Sequence, residues 1–429
     1  MPTISGFPSI TITYRKSGNA ARADHVKRLH SFVKNHQLDD LLVISHGWNN
    51  SKTEAMGLYK KLLAQIKLHR AQEPKLKNRK VGILAVIWPS KRFKAFEQDT
   101  SHQGGAASVS PEIDDPIKDA KALIQELDQE ITQDQETALV EATQAAVNDE
   151  GHWPAFLETL RNVLPFNPNG MDEADALLFE ATADPDQALA QFDFVTVDGQ
   201  SNAFTGGAAG GGGGGAAGAV GSILNYTTFY VMKRRAGDVG NHGLARSVVG
   251  LRRAKSDLRI HFVGHSFGAR VVAMAALALD GHPLSAPNSM TLLQAAFSHN
   301  SFSAKFPPPQ KPGFFRGVMT KPCVNGPILV THTFNDTPVR VAYSIASALA
   351  GQNASFTQST PSQYGGLGAN GALHMGAEAI PGKLLAAGAS GYAFKKSKIF
   401  NLESSQFIKS HSDVKSSQIG YAIVKAMVT

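Results

Sequence analysis

The chain carries Gly264-His265-Ser266-Phe267-Gly268 between an apolar run, Leu258 to Val263, and an alanine- and valine-rich stretch, Ala269 to Asp280. The first run alternates like a strand, and the second reads as a helix that stops at Gly281 with Pro283 beyond. A serine at such a junction sits in a tight strand-to-helix turn with its hydroxyl projecting from the end of a sheet. Flanking glycines tolerate the crowded backbone there. In a chain with 40 glycines the pentapeptide alone is a weak signal, and an incidental glycine–serine turn is the plain alternative. What gives it weight is the strand before it and the helix after it.

The preceding sequence repeats the same grammar. Ile10, Ile12 and Tyr14 alternate with threonines as in an early strand, and 20–37 reads as a helix. Leu41 to Ser45 is a compact apolar strand followed by His46-Gly47-Trp48-Asn49-Asn50. Ser51 and Glu54 have capping-box spacing and open a helix to about His69. Val81 to Ile87 is continuously apolar, as in a strand buried on both faces, and ends at Trp88-Pro89-Ser90. After the serine turn, 290–297 and 328–333 read as strands, joined through a proline-rich connection, 306–312. Residues 351–395 read as loops and 414–428 as a closing helix. Strand, loop, helix and strand in this order predict an α/β fold with a mostly parallel, doubly wound sheet.

A large insertion interrupts that order before the serine strand. Residues 95–200 hold 23 of the 35 acidic residues but three basic ones, Lys118, Lys121 and Arg161. That segment is therefore about −20 and the rest of the chain about +27. Next comes a glycine-rich tract with six consecutive glycines, Gly210 to Gly215, and no charge falls between Gln200 and Met232. The 429 residues divide as an N-terminal core part (1–92), an acidic helical insertion or cap (93–205), a glycine-rich linker (206–228) and a C-terminal core part (229–429). A membrane-interactive glycine-rich segment is the alternative to a linker; glycine and asparagine dilute its hydropathy.

The one cysteine, Cys323, offers no internal disulfide. The first residues lack a basic segment followed by an apolar one, so a cytoplasmic protein is expected, with signal-independent export the alternative. The basic remainder makes an anionic membrane surface a candidate partner, and no nucleic-acid motif is present. With a single cysteine, no H-E-x-x-H and no Walker A sequence, the chain calls for no metal or other cofactor.

A serine hydroxyl becomes a nucleophile when a base takes its proton, and the base needs a carboxylate to fix its tautomer. Asp336 follows the 328–333 strand and His411 precedes the last helix, giving the order Ser266, Asp336, His411 found with G-x-S-x-G turns. His374 is the competing base. Asp413 is the competing acid, better explained as a residue at the helix start. The oxyanion of a tetrahedral intermediate needs N–H donors, and the Phe267 and Trp48 amides are the expected pair. Trp48 and Trp88 are candidate substrate-binding residues. His46, at a strand end, suits a hydrogen bond that braces its loop.

These segments, namely 42–50 (LVISHGWNN), Ile87-Trp88-Pro89-Ser90, the Ser266 turn, Asn335-Asp336 and Ser410-His411-Ser412-Asp413, resemble the α/β-hydrolase superfamily. Within it they resemble bacterial hydrolases with an H-G-[YW]-N loop. The likeness covers 38–92 and 229–429 and leaves the acidic segment and glycine tract unexplained. It implies a serine hydrolase that cleaves carboxylic esters, from small molecules or lipids, through an acyl-Ser266 intermediate. The alternatives are a membrane-acting lipase or phospholipase, and a non-catalytic binding protein of the same fold. The insertion precedes the nucleophile strand, whereas lids in that superfamily more commonly follow it.

Overall fold

The computed structural model describes residues 2–90, 115–127, 129–164, 172, 175, 196–197, 200–201, 215–306, 311–349 and 363–429. The chain forms two compact units: one of Met1–Lys91, Arg235–Asp336 and Gly366–Thr429, the other of Arg92–Arg234 and Thr337–Gly365.

The first unit is built on a nine-stranded sheet. Its strands are β1 (Thr3–Ile4), β2 (Phe7–Thr13), β3 (Asp40–Ser45), β4 (Val81–Ile87), β7 (Arg259–His265), β8 (Ser289–Leu293), β9 (Ile328–His332), β10 (Ala379–Lys383) and β11 (Ile399–Glu403). In space they run β1-β2-β4-β3-β7-β8-β9-β11-β10. β1 is antiparallel to β2, and every other pairing is parallel. The sheet is thus mixed but mostly parallel, in an α/β unit. β3 and β4 are buried at every position, because helices cover both faces and a strand so placed must be apolar throughout.

Helix α2 (Lys52–Gln72) and the C-terminal helix, Ser417–Met427, share one core with alternate strand residues, among them Leu42, Ile44, Ile83, Leu62, Ile66, Ile419 and Ile423. The Ser51–Glu54 capping box at the start of α2 is formed as its sequence predicts. Helix α1 (His25–Asn35) and the helix after β7, Phe267–Ala278, bury residues outside that core and cover the opposite face.

In the second unit, α3 (Pro116–Glu126), α4 (Gln133–Asn148) and α5 (Trp153–Val163) account for the helical pattern of the acidic segment. A two-residue hairpin, β5 (Thr196–Val197) with β6 (Gln200–Ser201), follows. This unit also takes in 337–365, which the sequence grouped with the C-terminal core. Of the expected glycine-rich linker, 206–214 lies outside the described residues. Residues 215–228 open helix α6, Gly215–Asp238, in which Val220, Ile223, Leu224 and Tyr230 are buried. Among the described residues, no helix is long and apolar enough to cross a membrane.

Among the strands that the sequence does not reveal, two flank the C-terminal side of the sheet. β10, with Pro381 and Gly382, is a largely exposed edge strand lacking any apolar alternation, and it falls in 351–395, where the pattern predicts loops. β11, Ile-Phe-Asn-Leu-Glu, is short and carries two polar residues among its five. Because β3, β7, β8, β9 and β11 are parallel and in register, their carboxyl ends form one edge, where Ser45 pairs Gly264, His265 pairs Leu293 and His332 pairs Glu403. Open α/β sheets present their ligand crevices at this edge.

Candidate active site

Ser266 follows β7 directly, with φ 56° and ψ −124°, a conformation that L side chains seldom adopt. The turn is held from both sides. The Ser266 amide donates to the Leu293 carbonyl (3.0 Å), and the Ser266 carbonyl accepts from Ala269 (3.0 Å) and Ala296 (3.4 Å). A methyl group at Gly264 would collide with the Gly268 carbonyl and the Ala269 amide. One at Gly268 would collide with the Ser45 and His46 carbonyls. The two glycines therefore mark where backbone packs on backbone, so that β7, the turn and the next helix fit together at the end of β3.

The loop after β3 closes over the turn. A Cβ at Gly47 would lie 2.6 Å from the Ser266 Cβ and 3.1 Å from its Oγ. His46 braces this loop: Nδ1 donates to the Gly47 carbonyl (2.9 Å) and Nε2 accepts from the Trp88 amide (3.3 Å). Its ring stacks on Trp88 at 5.5 Å, and burial pushes its pKa down to about 4, so it is a neutral imidazole with both nitrogens engaged. Trp88 is buried, and its indole N–H donates to the His46 carbonyl (3.0 Å). Trp48 is half-buried, its ring 6.0 Å from that of Phe267. Phe267 is the first residue of its helix, Phe267–Ala278, so its amide lies at the positive end of the helix dipole.

Asp336 and His411, 75 residues apart in sequence, meet: His411 Nδ1 donates to Asp336 Oδ1 at 2.8 Å. Asp336 is fully buried, whereas the His411 side chain is 14% exposed. Asn335 positions the histidine loop, its amide donating to the Ile408 carbonyl (3.0 Å). His265 Nε2 donates to the His411 carbonyl (2.9 Å). The structure does not draw a hydrogen bond between Ser266 Oγ and His411; the two residues are linked through His265. Such contacts are often open in unliganded sites and tighten on substrate.

The competitors lie elsewhere. His374 is exposed, in a left-handed turn. Asp413 closes its own loop, accepting from the Lys409 amide (3.1 Å). It does not sit at a helix start, because the last helix begins at Ser417 with Ser416 as its cap.

Sequence reading missed Gln294, which follows β8 and donates to Asp336 Oδ2 (3.2 Å). No motif marks it. The nearest signal is a polar residue ending an apolar strand beside the predicted site. Comparison with known proteins found no matching family model, no matching curated protein and no matching solved structure.

Proposed function

We propose that the chain is a serine hydrolase acting on carboxylic esters through an acyl-Ser266 intermediate. The observation that carries this reading is the 2.8 Å Asp336–His411 pair on the same sheet edge as a strained Ser266. With Nδ1 committed to the carboxylate, Nε2 is the nitrogen that takes a proton.

Ser266 Oγ attacks the acyl carbon and its proton passes to His411 Nε2. The oxyanion draws on the Phe267 and Trp48 amides. Collapse expels the alcohol, which leaves with the proton from His411. Water then attacks the acyl-enzyme, again through His411, and the carboxylic acid is released with Ser266 restored. Asp336 holds the imidazole and stabilises its charged form. The strand order and the sequence resemblance both favour the α/β-hydrolase fold.

The test is intact-mass spectrometry after a fluorophosphonate probe, with Ser266→Ala as control. One adduct, absent from the control, is the expected result. An unlabelled protein, or an adduct that survives the substitution, would overturn the mechanism. A membrane-acting lipase is the second reading, favoured by the basic charge outside 95–200. Sedimentation with anionic but not neutral vesicles separates it from an esterase of water-soluble substrates.

A further inference from the structure

We infer that Gln294 is a positioning residue of this site, fixing the Asp336 carboxylate against His411 and tying the acid to the nucleophile turn. The inference rests on reading Ser266, His411 and Asp336 as a catalytic triad.

Gln294 is fully buried, and each polar atom of its side chain is engaged. Nε2 donates to Asp336 Oδ2 (3.2 Å) and to the Gly368 carbonyl (3.0 Å), while Oε1 accepts from the Thr331 hydroxyl (2.8 Å). That hydroxyl in turn accepts from the Gln294 amide (3.2 Å). The direction of the side-chain amide is therefore determined: reversed, its oxygen would face a carboxylate and a carbonyl.

The backbone adds a second, independent observation. Gln294 has φ 46°, a left-handed conformation that glycine would adopt with less strain. Residues on either side of it grip the nucleophile turn, the preceding Leu293 accepting from the Ser266 amide and Ala296, two residues on, donating to the Ser266 carbonyl. One strained turn thus holds the serine by its main chain and the acid by its side chain.

The choice of an amide fits the chemistry. Asp336 must stay ionised to stabilise an imidazolium, so a donor on Oδ2 helps by preventing rotation of the carboxylate. A cation in that place would draw off the charge that His411 needs. A neutral amide orients the carboxylate and leaves its charge in place.

Two substitutions of similar volume separate this role from core packing. Gln294→Met removes the donor. It should lower kcat/KM for a p-nitrophenyl ester roughly 10- to 100-fold, mostly in kcat, with KM little changed. Gln294→Glu places a carboxyl beside Asp336, where burial and like charge keep it protonated near neutrality. Its O–H then replaces the lost N–H, so activity is regained near neutrality and falls as pH rises, along a limb that wild type lacks. A purely structural role predicts equal losses in both variants and no new limb, and that result would overturn the inference.

Proton NMR of the His411 Nδ1–H resonance provides a readout that needs no turnover. The resonance should be present in wild type, shifted or lost in Gln294→Met, and restored in Gln294→Glu below its new titration. An unchanged resonance in Gln294→Met would defeat the inference even if the protein is active. A wild type that no fluorophosphonate labels would defeat the hydrolase reading, while the resonance still decides whether Gln294 positions the pair.

Discussion

His265 Nε2 donates to the main-chain carbonyl of His411 at 2.9 Å, and the two rings lie 5.0 Å apart. The residue before Ser266 therefore holds His411 by its backbone. Burial, reinforced by the neighbouring His411, pushes the His265 pKa down to about 3, so the donor is a neutral imidazole in one tautomer. His265→Ala should slow fluorophosphonate labelling of Ser266 about tenfold, the worth of one neutral hydrogen bond, and leave the circular dichroism spectrum intact. Labelling at the wild-type rate would show that the His411 loop needs no such tether.

The strain at Ser266 leads to a stability difference between two of its variants. At φ 56° and ψ −124°, any side chain is disfavoured and glycine is not. Ser266→Gly should therefore be more stable than Ser266→Ala by about 1 kcal/mol, the strain relieved exceeding glycine's entropic cost. Thermal melts of the pair measure this. An alanine variant as stable as the glycine one would mean that the turn is relaxed.

Acid should destabilise the protein well before its carboxylates protonate. Burial lowers the pKa of His46 and His332 to about 4 and that of His265 to about 3. In the unfolded chain each titrates near its ordinary value of about 6.5. Below that pH the unfolded state binds protons that the native state refuses. The native state thus keeps its full advantage above pH ~6.5 and loses about 1.4 kcal/mol per unit for each such group as pH falls toward the native value. Calorimetric melts between pH 8 and 4 should show Tm falling steadily below about 6.5. A flat Tm across that range would mean that these rings are solvated.

Much of the framework around the candidate site was legible in the sequence because most of its candidate residues sit at the ends of strongly patterned elements. The apolar runs of β3, β4 and β7 needed no tertiary information, and Ser266 and Asp336 each follow a strand that the pattern predicts, whereas His411 was placed only by the helix after it. Other features depend on neighbours that a local reading cannot supply. Gln294 acquires its partners through the register that sets Leu293 against Thr331. Helix α6 begins in a glycine run that local propensity argues against, and burial of Val220, Ile223 and Leu224 outweighs that cost. β10 and β11 are held by parallel pairing to β9, through β11, and have little apolar pattern of their own.

A second serine–histidine–aspartate line runs through the same sheet and separates arrangement from reactivity. His261 meets Ser289 Oγ through Nδ1 (2.8 Å) and Asp40 Oδ1 through Nε2 (3.1 Å), and Asp40 pairs with Arg79 (2.6 Å). All of it lies toward the amino ends of β3, β7 and β8, the opposite edge from Ser266. Ser289 opens a regular strand and is buried, with neither a strained turn nor a helix start beside it, so among the described residues nothing there exposes its hydroxyl or stabilises an oxyanion. Burial holds His261 below its usual pKa despite Asp40 beside it, which marks the line as a buried polar brace. Ser289→Ala should cost about 1 kcal/mol of stability and leave the labelling rate of Ser266 unchanged. Asp40→Asn should cost more, about 2–3 kcal/mol, because Arg79 and His261 lose a charged acceptor, again without touching labelling. Peptide mapping of the labelled wild type decides the matter: an adduct on Ser289, or Ser266 labelling lost in Ser289→Ala, would move the chemistry to the other end of the sheet.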